Sequence, residues 1–143
     1  MTTGRVVALD LGSRRIGVAY CDTRRTLASP WGTVQRTGDV VRDRQAVLAA
    51  IREVEATTVL VGLPLSLSGK AGPAAEAALT EVAELRALLE PEGVAVETVD
   101  ERFSTIEAQR SLSASGRSVK SSRSVIDSAA AMVLLQAWID GAS

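Results

Sequence analysis

The first residues able to do chemistry are Asp10 and the five that follow it, Leu11-Gly12-Ser13-Arg14-Arg15. A carboxylate closing an apolar segment, then a glycine and two arginines, makes either a tight turn or a site for a metal ion and a phosphate. Far downstream, Asp100-Glu101 closes another apolar segment, and Asp127 lies in Ser124-Val125-Ile126-Asp127 ahead of a long apolar run. The chain has no histidine. That excludes Ser-His-Asp and Cys-His nucleophiles and a His-ligated zinc. The single cysteine, Cys21, cannot close an internal disulfide or form a cysteine metal cluster, and it reads as a small buried hydrophobe. Carboxylates, lysines, hydroxyls or a metal must therefore carry any reaction. Oxygen ligands without nitrogen or sulfur select Mg²⁺ or Mn²⁺.

The elements around these acids bring them together. Arg5 to Asp10 and Ile16 to Asp22 are short β-branched segments joined through glycine, an antiparallel hairpin. Leu27 to Arg36 is a third strand, and its Pro30 and Gly32 mark an edge. From Val40 the period changes: Val40, Val41, Val47, Leu48, Ile51 and Val54 recur at helical spacing. Thr58 to Gly62 is a continuous apolar strand of the kind buried in a parallel sheet. After the loop Gly62 to Gly72, Pro73 suits a first helical turn whose face is Ala78, Val82, Leu85 and Leu89. Pro91-Glu92-Gly93 stops that helix, and Val94 to Asp100 alternates as a strand. Ser104-Thr105-Ile106-Glu107 matches a capping box opening the next helix, and Val125 to Asp140 is a last apolar helix.

The order β-β-β-α-β-α-β-α-α has no repeat and no linker. It predicts one α/β domain over residues 1–143, with a mixed five-stranded sheet and helices on both faces. Three strands run by hairpins, and right-handed crossovers make the later ones parallel to the first. Ligands of such sheets sit beyond the carboxyl ends of the parallel strands, where Asp10 and Asp100-Glu101 both fall. Asp127 lies on the helical wheel between Leu134 and Trp138, an apolar side where an acid needs a partner. Each acid also has a plainer reading. Asp10 could form a turn, Glu101 could pair with Arg102, and Asp127 could close its own capping box.

Composition narrows the partners. With 46% hydrophobic and 23% charged residues the chain is ordinary globular material, and its net charge of −1 gives no global nucleic-acid signature. No apolar run nears the ~20 residues of a membrane span, the longest being Ala129 to Leu135. No basic segment followed by an apolar stretch opens the chain, so the expectation is a cytosolic protein without a membrane partner. Any nucleic-acid surface must be local. From Arg110 to Ser124 there are four basic residues and no acid, either a solvated loop or a nucleic-acid contact. The loop Gly62-Leu63-Pro64-Leu65-Ser66-Leu67-Ser68-Gly69-Lys70 is not a Walker phosphate loop, because Ala71 follows Lys70 where a hydroxyl is required. It still offers Lys70 to a phosphate.

Four segments in order carry a more specific signal: Asp10 to Ala19, Val61 to Gly69, Asp100 to Thr105 and Val125 to Asp140. Together they resemble the YqgF family, also called RuvX, of Holliday junction resolvases, and the likeness spans essentially the whole chain. It implies a ribonuclease H-like fold, 5′-end maturation of small-subunit ribosomal RNA in ribosome biogenesis, and two-metal phosphodiester hydrolysis with Mg²⁺ or Mn²⁺. Carried over by position, the acidic triad is Asp10, Glu101 and Asp127, with Asp100 the alternative to Glu101. Phosphate contacts fall to Arg14, Arg15, Lys70, Arg102, Arg117, Lys120 and Arg123. The family often has a lysine just before the last Ile-Asp pair, where this chain has Ser124. The implied partner is structured RNA, with branched DNA as the alternative. Two other readings compete: a non-catalytic RNA-binding module, and a phosphate loop like that of actin- and hexokinase-like ATP-binding proteins. The latter use two such domains, and this chain has room for one.

Overall fold

The computed structural model describes residues 4–64, 72–101 and 128–141. Five strands form one sheet: β1 (Arg5–Leu11), β2 (Arg15–Cys21), β3 (Ser29–Gln35), β4 (Ala56–Leu63) and β5 (Ala95–Asp100), in the order β3-β2-β1-β4-β5. β1 pairs antiparallel with β2, and β2 with β3, whereas β1–β4 and β4–β5 are parallel. The mixed sheet, the hairpin order and the edge position of β3 are those the sequence predicts. The pairing of β2 with β3 shifts register between Val18 and Ala19, the stretch opposite Gly32 and Pro30. A proline has no ladder donor, so the irregularity falls where an edge strand tolerates it.

Helices α1 (Val40–Val54) and α2 (Pro73–Leu89) cover one face of the sheet, and α3 (Ala129–Gly141) covers the other. Alternation along β1 divides the two cores: Val7 and Leu9 join α1 and α2, while Val6 and Ala8 join α3. Central β4 is buried on both sides, with Val59, Leu60 and Val61 fully enclosed. That accounts for its unbroken apolar run. The face predicted for α2, Ala78, Val82, Leu85 and Leu89, is buried throughout. Each enclosed leucine contributes about 1.5–3 kcal/mol by leaving water.

The termini of α1 are fixed locally. The Asp39 carboxylate accepts from the N–H groups of Val41 and Arg42 at 3.1 and 3.2 Å. Glu55 ends the helix in the left-handed region with φ 62. Val40 and Val41, which the sequence places in the helical apolar period, stand exposed at the first turn, so the buried apolar face of α1 begins at Val47. Cys21 is 1% exposed, the buried hydrophobe the sequence suggests. No helix among the described residues is long and apolar enough to cross a membrane.

Candidate metal and nucleic-acid site

Asp10 is half-buried near the carboxyl end of β1. Alternation turns its side chain to the α3 face, the side of Val6 and Ala8. On β4 the register pairs Leu9 with Val61, so Asp10 and Gly62 follow as neighbours. A Cβ placed on Gly62 would stand 3.2 Å from Glu101 Cδ, 3.3 Å from Glu101 Cγ and 3.1 Å from Leu134 Cδ1 of α3. The Glu101 carboxyl group therefore lies over the bare backbone of Gly62, on the same face and edge as Asp10. Gly62 is glycine because the carboxyl group fills the space a side chain would take.

Asp100 differs. On β5, Val96 packs with α1 and α2 and Val99 with α3, so alternation turns Asp100 away from the face that Asp10 shares. Of the two adjacent acids, Glu101 is the one the sheet brings toward Asp10.

The turn carrying Asp10 is held tightly. Gly12 N–H donates to the Asp10 carbonyl at 3.0 Å, and a Cβ on Gly12 would come within 2.6 Å of the Arg15 carbonyl oxygen. The chain reverses there only without a side chain, as the sequence implies. Arg36 braces the turn from β3's end: its Nε donates to the Gly12 carbonyl at 2.6 Å, and its backbone N–H to the Arg14 carbonyl at 3.0 Å. Sequence reasoning missed both Arg36 and the space over Gly62. Arg14 is exposed and Arg15 half-buried at this turn.

Helix α3 begins two residues after Asp127 and is anchored over the sheet. Gln136 accepts from Ala28 N–H at 2.9 Å and donates to the Thr26 carbonyl at 3.1 Å. Arg25 lies 5.6 Å from the centre of the Trp138 ring. Asp127, Lys70, Arg102, Arg117, Lys120 and Arg123 lie outside the described residues, as do both proposed capping boxes. Among the described residues no three acids, cysteines or histidines form a metal cluster, so Asp10 and Glu101 are the pair the structure brings to one edge. Their all-oxygen donor set suits Mg²⁺ or Mn²⁺.

A cavity of ≈ 530 Å³ lies on the other face, under α1 and α2. Leu9, Ile16, Val47, Ala78 and Leu85 line it, and Arg44 closes its rim by a two-pronged ion pair to Glu81 at 2.7 and 2.8 Å. It contains neither Asp10 nor Glu101.

Solved structures place this architecture in a class. The RuvC of T. thermophilus, solved in complex with a Holliday junction substrate, matches with a TM-score of 0.61 at 12% identity, over 97% of this chain and 95% of that one. The yeast mitochondrial Holliday junction resolvase Ydc2 matches with a TM-score of 0.61 at 8% identity, over 96% of this chain and 78% of that one. The fold is ribonuclease H-like.

The family follows from sequence. The family model described as "RuvX: Holliday junction resolvase" matches residues 4–141, and the chain belongs to the RuvX family. A protein of Leifsonia xyli subsp. xyli named "Putative pre-16S rRNA nuclease" is 41% identical over 98% of this chain and 88% of its own length. One of the same name from Mycobacterium ulcerans is 44% identical over 96% of this chain and 79% of its own.

Proposed function

We propose that this protein is a metal-dependent nuclease that hydrolyses phosphodiester bonds in 5′-end processing of pre-16S ribosomal RNA, a cytoplasmic step of ribosome biogenesis. The observation that carries this reading is the Glu101 carboxyl group lying over the bare backbone of Gly62, on the face and edge of the sheet where Asp10 closes the neighbouring strand. Relatives above 40% identity bearing the pre-16S nuclease name support the choice of substrate.

In this reading Asp10, Glu101 and Asp127 hold two Mg²⁺ or Mn²⁺ ions. Such ions, when bound, activate a water for in-line attack and stabilise the departing oxygen. The protein supplies position. The turn braced by Gly12 and Arg36 fixes Asp10, β5 delivers Glu101 over Gly62, and α3 starts just after Asp127. Arg14 and Arg15 on the turn, with Lys70, Arg102, Arg117, Lys120 and Arg123, supply the positive charge that draws the phosphate backbone to the acids.

A Holliday junction-resolving endonuclease is the second reading, favoured by the family description and by the resolvase folds the chain matches. Both share the same acids. Purified protein with Mn²⁺, offered precursor 16S RNA and a four-way DNA junction in parallel, separates them. Preferred cleavage of the RNA supports the proposal, preferred cleavage of the junction supports the second reading, and binding without cleavage of either refutes both.

A further inference from the structure

A second depression, open and of ≈ 510 Å³, lies beside the β1–β2 turn, lined by Ser13, Arg14, Gln35, Arg36, Gly38 and, from α1, Val40 and the acid Asp43. It opens on the α1 side of the turn, away from the face that Asp10 shares with Glu101. Arg14 and Arg36 stand opposite each other: the register pairs Arg15 with Gln35, and Arg36 N–H donates to the Arg14 carbonyl at 3.0 Å. Like charges facing each other across a ladder repel. Among the described residues, every acid nearby is already engaged. Asp43, 4% exposed, accepts from Thr37 N–H at 3.0 Å and from its hydroxyl at 2.8 Å; Asp39 caps α1; Glu81 pairs with Arg44. Arg36 has one edge committed, Nε to the Gly12 carbonyl, and its other side-chain nitrogens make no hydrogen bond to a described residue. Nor does the Arg14 guanidinium. The first guanidinium is thus held rigidly by the turn and the second is free to close on a ligand.

We propose that this depression binds one backbone phosphate of the nucleic-acid substrate between Arg14 and Arg36, so that the strand crosses the β1–β2 turn on its way to the acids. The proposal deepens the nuclease reading and rests on it for the identity of the ligand. A planar, forked guanidinium pair suits an anion with several equivalent oxygens. Arg36 then has two roles, bracing the turn through Nε and contacting substrate through the rest of its guanidinium.

The test uses the full chain in EDTA, where binding is read without cleavage, with labelled precursor 16S RNA across a range of KCl concentrations. Arg14→Gln and Arg36→Gln should each weaken binding. The double variant should lower the slope of log affinity against log salt by about 0.7–0.9, one phosphate's worth, rather than twice that. An unchanged slope in the double variant overturns the proposal. So does a drop of twice that size with additive single effects, which would mean two separate phosphates. Arg14→Gln breaks no side-chain hydrogen bond or ion pair with a described residue, so it tests the site even if Arg36→Gln unfolds. A second arm compares melting in sodium phosphate and in sodium chloride of equal ionic strength. If phosphate stabilises the wild type but not Arg14→Gln, while the RNA slope is unaffected, the site takes free phosphate and the proposal fails. A chain that shows the predicted slope change yet cleaves nothing with Mn²⁺ refutes the nuclease reading and leaves this site standing. A chain that cleaves but whose slope ignores both substitutions does the reverse.

Discussion

Replacing Gly62 with alanine perturbs the proposed site without touching a charge. The new Cβ would meet Glu101 Cδ at 3.2 Å and Leu134 Cδ1 at 3.1 Å. Carbon atoms sit comfortably at roughly 3.5–4.0 Å, so each neighbour must give by about 0.3–0.4 Å. Leu134 is 1% exposed and held in the α3 core, whereas Glu101 lies just past the end of β5, so the carboxylate yields. Ligand distances in a metal site tolerate only about ±0.2 Å. A displacement of this size should weaken ion binding about tenfold, equivalent to ~1.4 kcal/mol. Stability should change little, because an overpacking cost of about 1–3 kcal/mol is offset in part by ~0.5–1 kcal/mol from removing a glycine inside a strand. The assay is the initial cleavage rate against Mn²⁺ concentration, with melting measured on the same samples. The activation midpoint should rise about tenfold while Tm moves by only a few degrees. A wild-type activation curve from a folded Gly62→Ala protein would show that Glu101 holds no ion.

Three further perturbations follow from the same contacts. Gly12→Ala would bring a Cβ within 2.6 Å of the Arg15 carbonyl oxygen, so the turn must open; about 1–3 kcal/mol of stability should go, and cleavage with it, as read by urea unfolding and rates. Asp43→Ala leaves the Thr37 N–H and hydroxyl without their acceptor and should cost about 1–3 kcal/mol in urea, with Asp43→Asn costing less; equal losses would mean that the hydrogen bonds do not matter. Burial pushes the Cys21 thiol up from its usual 9.0, against the opposing effects of the Val6 backbone hydrogen bond and the Arg25 charge. Its folded value then exceeds its unfolded one. Cys21 therefore contributes stability that is complete below pH 9.0 and is lost as pH rises through the folded value. Urea midpoints at pH 7 and pH 10 should converge more closely in Cys21→Ala than in the wild type, and an identical decline in both would refute the assignment.

The sheet was legible because its signals are local. Short β-branched runs, a glycine-bearing turn and Pro30 in an edge strand need only neighbours in sequence. Boundaries moved where tertiary pairing extended a strand: β4 runs from Ala56 rather than Thr58, since Arg5 of β1 pairs with it there. Asp10 was legible as an acid at a strand's carboxyl end, and so was the Asp100-Glu101 pair. Which of the two faces Asp10 was not readable from composition, because it depends on which core each side of β5 joins. Gly62 read only as the end of an apolar run, and its purpose appears once the Glu101 carboxyl group is seen above it. Arg36 gave no signal at all. Its partner Gly12 is 24 residues away, and the two meet only through the β2–β3 pairing.

The most direct test of the acid edge is Mn²⁺ binding and cleavage by Asp10→Asn beside the wild type. Asparagine is nearly isosteric with aspartate, so the fold should survive and melting in EDTA should be unchanged or slightly higher, one charge having left the edge that Asp10 shares with Glu101. The account predicts that Asp10→Asn, so folded, loses high-affinity Mn²⁺ binding and cuts precursor 16S RNA slower by orders of magnitude. Wild-type binding and cleavage by the folded variant would contradict it.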